Sequence, residues 1–341
     1  MERHDWEGVG VILDHILITG GAGFIGSHLT EYLLEHDHAC HITIIDDLST
    51  GQRKHPAMIR DHYGEDRVRF IEGRVGDILD DLNDESFEVI YHLAAAVGVR
   101  LILDEPIRTI ETNVLETAAL LRFAQARSSR ILLASSSEVY GKSSQVPFAE
   151  EQDVLYGATT YTRWSYACTK AIDEYLGLAY HRQHGLRTVV GRFFNTVGPR
   201  QIGRYGMVLP RFVKAAMLGE DLQVYGNGTQ SRCFCDVRDM VRALPMLIQT
   251  DTCFGRVFNI GRDEAITIQQ LAELVIETLN SKSAIRHVPY EEAYTTGFED
   301  LAVRQPDLSH LKAMTGFSAQ IPLTQTILDL AEEIQQQNQS Q

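Results

Sequence analysis

Short apolar runs near residues 15–19, 41–46, 67–71, 88–93, 130–135 and 186–193 predict strands, and longer mixed segments between them, among them 24–35, 107–127 and 163–184, predict helices. Regular alternation of the two predicts a doubly wound parallel α/β sheet, because each parallel crossover lays a helix across one face. Beyond Gly198 the pattern loosens. Glycine and proline recur, then come a predicted helix at 208–218, a strand at Leu222–Tyr225 and a helix at 267–280 entered through Thr267. This half reads as a smaller C-terminal α/β lobe over the C-terminal edge of the sheet, where open α/β folds bind ligands. The expected boundaries are an N-terminal extension at 1–14 and a sheet domain at 15–197 with a return segment near 236–263. A ligand lobe from 198–235 and 264–330 and a tail at 331–341 complete the chain. No internal repeat is visible, and the tail, with Gln335 to Gln337, Gln339 and Gln341, is low in complexity and is expected to fray.

The first strand runs into a glycine-rich turn and then a helix: Ile16-Leu-Ile-Thr-Gly20-Gly-Ala-Gly23-Phe24-Ile25-Gly26. A dinucleotide pyrophosphate requires this context. Gly20 permits the tight turn, Gly23 lets the backbone approach the pyrophosphate, and Gly26 allows close packing of helix on strand, with the helix N-terminus facing the phosphates. His41-Ile-Thr-Ile-Ile-Asp46 reads as the second strand ending in an acid. A carboxylate about twenty residues after the last glycine accepts hydrogen bonds from an adenosine ribose diol and repels a 2′-phosphate, so NAD is expected rather than NADP.

Tyr166-Ala-Cys-Thr-Lys170 supplies candidate chemistry. Tyrosine and lysine four residues apart project from one helix face, a turn apart. A tyrosine ionises only near pH ~10, and an ammonium nearby favours its anion. The same spacing occurs on ordinary amphipathic helix faces, so its weight comes from the glycine turn and Asp46.

Composition narrows the function classes. At 341 residues the chain can bury an ample core. No apolar run reaches the ~18 residues that span a bilayer. The polar start, with Glu2, Asp5 and Glu7, does not resemble a signal peptide, and a cytoplasmic chain is expected. Cysteines 40, 168, 233, 235 and 253 are odd in number and lack a Cys-x-x-Cys pair, so neither metal nor disulfide is expected. Cys233 and Cys235 are expected to point the same way from one buried strand. The net charge of −15 argues against nucleic acid or an anionic membrane as partner. Locally the balance reverses: Arg192, Arg200, Arg204, Arg211, Lys214 and Arg232 face only Glu220 and Asp221 over that stretch. Such a segment is either a solvated basic face or a site for a phosphate-bearing ligand.

Taken in order, several motifs resemble the extended short-chain dehydrogenases/reductases of the NAD-dependent epimerase/dehydratase type. They are Gly20-x-x-Gly23-x-x-Gly26, Gly76-Asp77-Ile78, His92-Leu-Ala94-Ala, Asn113-Val, Ser135-Ser136-Ser137-Glu138-Val139-Tyr140-Gly141, Tyr166-x-x-x-Lys170 and Arg192-Phe-Phe-Asn195. The resemblance spans about 15–330 and implies a Rossmann sheet holding NAD, with a nucleotide sugar, commonly UDP-linked, in the smaller lobe. It implies cofactor contacts from Phe24, Ile25, Asp77, Ile78, Ala94 and Asn113, with Asp77 on the adenine. Asn195 and Arg232 are expected on the substrate diphosphate, Gln223 and Tyr225 on the base, Arg211 elsewhere on the substrate and Arg304 at its nucleotide end. The helices at 107–127 and 163–184 resemble those that pair as a four-helix bundle in family homodimers.

The resemblance also implies a reaction. Tyr166 as phenolate takes the proton of the sugar 4-hydroxyl, Lys170 lowers the tyrosine pKa and holds the nicotinamide ribose, and Ser136 hydrogen-bonds O4. The resulting 4-keto sugar can be epimerised, dehydrated or, with a C6 carboxylate, decarboxylated. Dehydratases resembling this chain carry Asp-Glu where it has Ser137-Glu138, which disfavours dehydration. Ser137-Glu138-Val139-Tyr140-Gly141 resembles UDP-glucuronate decarboxylases, Arg163-Trp164-Ser-Tyr166 resembles the decarboxylase domain of the aminoarabinose lipid A pathway, and Asn195-Thr-Val-Gly-Pro-Arg200 resembles UDP-xylose synthases. Conversion of UDP-glucuronate to UDP-xylose is therefore expected, with 4-epimerisation of UDP-glucose or UDP-glucuronate as the alternative. A non-catalytic NAD-binding module is opposed by intact Ser136, Tyr166 and Lys170. Glu138 is expected either to stand beside the substrate carboxylate and raise its energy before CO2 leaves, or to serve as a loop residue that accepts backbone hydrogen bonds. The runs Ala94 to Arg100 and Arg204 to Phe212 depart from the usual decarboxylase wording.

Overall fold

The computed structural model describes residues 14–97, 104–201, 207–289 and 303–339; residues 1–13 of the expected extension, and Arg204, lie outside these. Six apolar runs form β1 (His15–Thr19), β2 (His41–Asp46), β3 (Val68–Glu72), β4 (Val89–His92), β5 (Arg130–Ser136) and β6 (Arg187–Phe193). The chain continues through β7 (Thr196–Val197), β8 (Leu222–Tyr225), β9 (Ser231–Cys233), β10 (Cys235–Asp236) and β11 (Arg256–Ile260), then β12 (Ala265–Thr267), β13 (Ile285–Val288) and β14 (Val303–Arg304). Seven of these make one parallel sheet in the order β11-β6-β5-β4-β1-β2-β3. The order reverses between β1 and β4, which opens a crevice at the C-terminal strand ends.

Both faces of the sheet are covered, which is why its strands are apolar along their length rather than alternating. The helices are α1 (Phe24–His36), α2 (Lys54–Tyr63), α3 (Val75–Ile78), α4 (Pro106–Arg127), α5 (Ser165–His184), α6 (Val208–Leu218), α7 (Val237–Gln249), α8 (Ile268–Thr278), α9 (Ser309–Thr315) and α10 (Leu323–Gln339). Successive strand residues face opposite ways. Ile16 and Ile18 thus pack with Leu29 and Leu33 of α1 and Val241 and Leu244 of α7. Leu17 packs with Leu120, Leu121 and Ala124 of α4. A third core, from Leu209, Phe212, Val224, Leu271, Val275, Ile327 and Leu330, joins α6, β8, α8 and α10 beyond the sheet. Thr267 is the N-cap of α8, in a reciprocal capping box with Gln270.

Two expectations fail here. The run through Cys233 and Cys235 is not one strand, because it breaks at Phe234: β9 pairs with β12 and β14, whereas β10 pairs with β7. The tail does not fray at 331, since α10 continues to Gln339. Ile327, Leu330, Ala331 and Ile334 recur at helical spacing and pack into the third core, while Gln335, Gln336 and Gln337 lie exposed. Among the described residues no helix is long and apolar enough to cross a membrane.

Candidate active site

A cavity of about 530 Å³ follows the C-terminal ends of the central strands. At its floor, Gly20 has φ +75°, and a Cβ there would come within 2.7 Å of the Ala94 nitrogen. A Cβ on Gly26 would overlap the Gly20 carbonyl oxygen and approach the Gly21 Cα to 2.6 Å, so turn and helix could not pack as they do. Gly23 is the N-cap of α1 and offers no side chain to its first turn. With Phe24 and Ile25 lining the same wall, that turn presents backbone N–H groups to the cavity. Asp46 ends β2, buried. Its Oδ2 accepts from the Ala22 N–H at 3.0 Å and its Oδ1 from the Leu48 N–H at 2.8 Å. Burial raises its carboxyl above the usual range, against those two bonds. The carboxylate thus braces the glycine turn and keeps acceptor capacity on the cavity side. Turn, helix end and acid together fit a dinucleotide.

Three expected cofactor contacts are displaced. Gly73, Arg74 and Val75, directly after β3, line the cavity. Asp77 lies exposed in α3, and Ile78 packs on the second core. The pattern glycine, polar residue, branched aliphatic occurs twice here, three residues apart, and the strand end at Glu72 brings the first copy to the site. Asn113 is buried behind the wall. Its Oδ1 accepts from the Ala96 N–H at 2.8 Å and its Nδ2 donates to Thr169 Oγ1 at 3.2 Å, so it ties the loop after β4 to α5. Ala94 lines the cavity as expected.

Ser136, Tyr166 and Lys170 converge where β5 meets α5. Ser136 caps the short 3-10 turn Ser137–Tyr140 by accepting from the Glu138 N–H at 3.2 Å, and its hydroxyl also bonds the Tyr166 phenol. Burial pushes that phenol well above the usual tyrosine value, the Glu138 charge adds to the rise, and the Ser136 hydrogen bond opposes it. The expected lowering by Lys170 does not govern Tyr166. The Lys170 ammonium donates to buried Asp173 Oδ2 at 3.2 Å, which absorbs part of its charge. His92 bridges Thr19 Oγ1 at 2.8 Å and Thr117 Oγ1 at 2.9 Å. Burial, then Lys170, hold its imidazole down at about 3, so it is a neutral strut.

Glu138 lies between two guanidiniums rather than alone. Arg163 Nη2 reaches its Oε2 at 2.6 Å, and Arg304 Nη1 pairs with its Oε1. Burial by itself would raise the carboxyl, but Arg304 and Arg163 outweigh it and bring it to about 2. Two expectations change with this. Glu138 is not an unscreened charge facing a substrate carboxylate, and Arg304 sits beside the candidate catalytic groups rather than at a nucleotide end. Arg163, whose Nε is buried without a hydrogen-bond partner, was not singled out from the sequence as a site residue. Its position three residues before Tyr166 was the available signal.

At the far end, Arg211 donates to the Tyr225 hydroxyl at 2.7 Å and to the Gln223 carbonyl at 3.2 Å. Asn195, Arg200 and Arg232 line the cavity between, with Arg232 beside Arg304 in the β9–β14 ladder. The basic segment therefore divides. Arg192 is buried against Glu174, Lys214 is exposed, and Arg200, Arg211 and Arg232 face the cavity.

The sequence family described as GDP-mannose 4,6 dehydratase matches residues 17–330. The chain is 40% identical over 302 residues to the UDP-N-acetyl-alpha-D-glucosaminuronate decarboxylase of Bacillus cytotoxicus, covering 88% of this chain and 91% of that one. It is 36% identical over 321 residues to UDP-glucuronic acid decarboxylase 5 of Arabidopsis thaliana, covering 93% and 88%. Its fold is similar to that of UDP-glucuronic acid 4-epimerase from Bacillus cereus in complex with UDP-glucuronic acid and NAD, with TM-score 0.82, 26% identity and coverage of 94% and 99%.

Proposed function

We propose, for a chain that belongs to the GDP-mannose 4,6 dehydratase family, the NAD-dependent decarboxylation of a UDP-linked hexuronate through a transient 4-keto sugar. The observation that carries this reading is the Arg163–Glu138–Arg304 cluster beside Ser136 and Tyr166. Two guanidiniums against one carboxylate leave a net positive charge at the sugar end, which suits a C6 carboxylate and has no use for a neutral hexose. Glu138 acts here as a positioning residue that fixes both forks.

When bound at the glycine turn, the α1 N-terminus and Asp46, NAD would supply the acceptor for the C4 hydride and the donor that returns it. Tyr166, having first given its phenolic proton to solvent, takes the proton of the 4-hydroxyl as phenolate, Ser136 donates to O4, and Lys170 would hold the ribose hydroxyls of the bound dinucleotide. In the 4-keto uronate the carboxylate is β to the ketone. The C5–C6 bond breaks, CO2 leaves, and the electron pair passes into an enolate whose oxygen Ser136 and the now protonated Tyr166 stabilise. A proton from solvent adds at C5, and as the hydride returns to C4 Tyr166 gives its proton back to O4.

The relative at 40% identity is named for a 2-acetamido sugar, and this favours UDP-N-acetylglucosaminuronate over UDP-glucuronate. Incubating the enzyme with NAD and each substrate, followed by mass spectrometry, is expected to show loss of one CO2. The expected kcat/KM is about tenfold higher on the 2-acetamido substrate. An isomer of unchanged mass would refute decarboxylation and support 4-epimerisation, which the similarity to the Bacillus cereus structure keeps as the second reading.

We further propose a cytoplasmic homodimer. The unpaired cysteines suit a reducing compartment. Helices α4 and α5 lie side by side and expose Ile107, Leu115, Ile172 and Tyr175, an apolar set suited to a second copy of the same face. Light scattering should give twice the chain mass, and Leu115→Glu should shift it toward the monomer. A monomeric wild type at working concentration would end this proposal.

A further inference from the structure

We infer that Glu116, anchored by Arg74, recognises the adenine of the cofactor by accepting a hydrogen bond from its 6-amino group; this rests on the NAD reading above. Asp46 marks the adenosine ribose at the end of β2. The base beyond it must enter the slot between Gly73–Val75, after β3, and the inner face of α4, where Thr112 and Glu116 line the cavity. Sheet order sets the slot apart from the reacting carbon: β3 lies four strands from β5, about 19 Å at ordinary strand spacing. Glu116 therefore has no part in the sugar chemistry.

A buried acid in that slot requires an explanation. The Glu116 side chain is only 9% exposed, and its Oε1 accepts from Arg74 Nε at 3.0 Å. Burial pushes its carboxyl up, while Arg74 and the Val75 N–H favour the charged form. These two donors occupy about half of the roughly four acceptor positions of a carboxylate, which leaves room for a donor from the cavity. Adenine presents its amino group as a donor, and hypoxanthine presents an oxygen in the same place. The acid expected to meet the adenine, Asp77, lies outside the wall. Arg74 stands in the loop that lines it, and an acid from α4 supplies the acceptor.

The test compares dissociation constants, by calorimetry, for NAD and for nicotinamide hypoxanthine dinucleotide, whose base carries a 6-oxo group. Wild type is expected to bind NAD about tenfold more tightly, the loss expected for one hydrogen bond to a charged group. Glu116→Gln is expected to bring the two within about twofold, because an amide can donate to the 6-oxo group as well as accept from the amino group. If the Arg74–Glu116 pair only staples α4 to the loop after β3, the variant weakens both ligands equally and the ratio stays, which overturns the inference. A wild-type ratio near one overturns it too, and needs no variant. Failure of wild type to bind NAD at all would instead overturn the reading of the cofactor.

Discussion

Tyr166→Phe is expected to lower turnover by about 10²–10⁴-fold, the usual contribution of a positioned acid–base group, while affinity for NAD stays within about twofold. The substitution keeps the buried ring and removes only the hydroxyl that meets Ser136. The glycine turn, the α1 N-terminus and Asp46 are untouched, so dinucleotide binding persists. Burial and the Glu138 charge both keep the proton on this phenol. Once that proton has left, the anion is correspondingly a strong base, and a variant without the oxygen has nothing to receive the 4-hydroxyl proton at that point. Steady-state kinetics and calorimetry on one preparation separate the two effects. Turnover close to wild type would remove Tyr166 from the chemistry. Loss of both turnover and NAD binding would make it a packing residue.

How much of this was legible in advance depended on whether a feature is local in the chain. The glycine turn, Asp46 and the Tyr166–Lys170 spacing are local, and the structure brings all of them to one cavity. The partners of those residues are not local. Glu138 and Arg304 are 166 positions apart, Glu116 and Arg74 are 42 apart, and no spacing rule relates them. Lys170 shares a face with Tyr166, as the four-residue spacing predicts, but Asp173, one turn further on, competes for its charge. The repeated glycine pattern at Gly73 and Gly76 misled because choosing between the copies needs the end of β3 to within a residue, the least reliable quantity a sequence yields. In α10 the glutamine-rich composition concealed an apolar stripe that a helical period reveals.

Arg192→Met is expected to destabilise the fold by about 3–5 kcal/mol, and the double variant Arg192→Met with Glu174→Leu by less. Arg192, near the end of β6, meets Glu174 of α5 with Nη2 to Oε2 at 2.8 Å and Nε to Oε1 at 3.0 Å, both side chains buried. Its Nη1 donates to the Glu150 carbonyl at 3.1 Å, and its guanidinium lies 4.7 Å from the Tyr140 ring centre. Taking away the cation alone strands a buried carboxylate, whereas taking away both charges leaves none to desolvate. The single variant should therefore melt several degrees lower, and the double should recover part of the loss. Thermal unfolding of wild type, the single variant and the double variant decides this, and a double variant that melts below Arg192→Met would refute compensation. The consequence reaches the chemistry because Ser135 donates to the same Glu174 and is followed by Ser136, while α5 carries Tyr166. Glu174 thus ties β6 through Arg192 and the end of β5 through Ser135 to α5, so the variants should lose kcat at temperatures where they are still folded, as the Ser136–Tyr166 contact loosens.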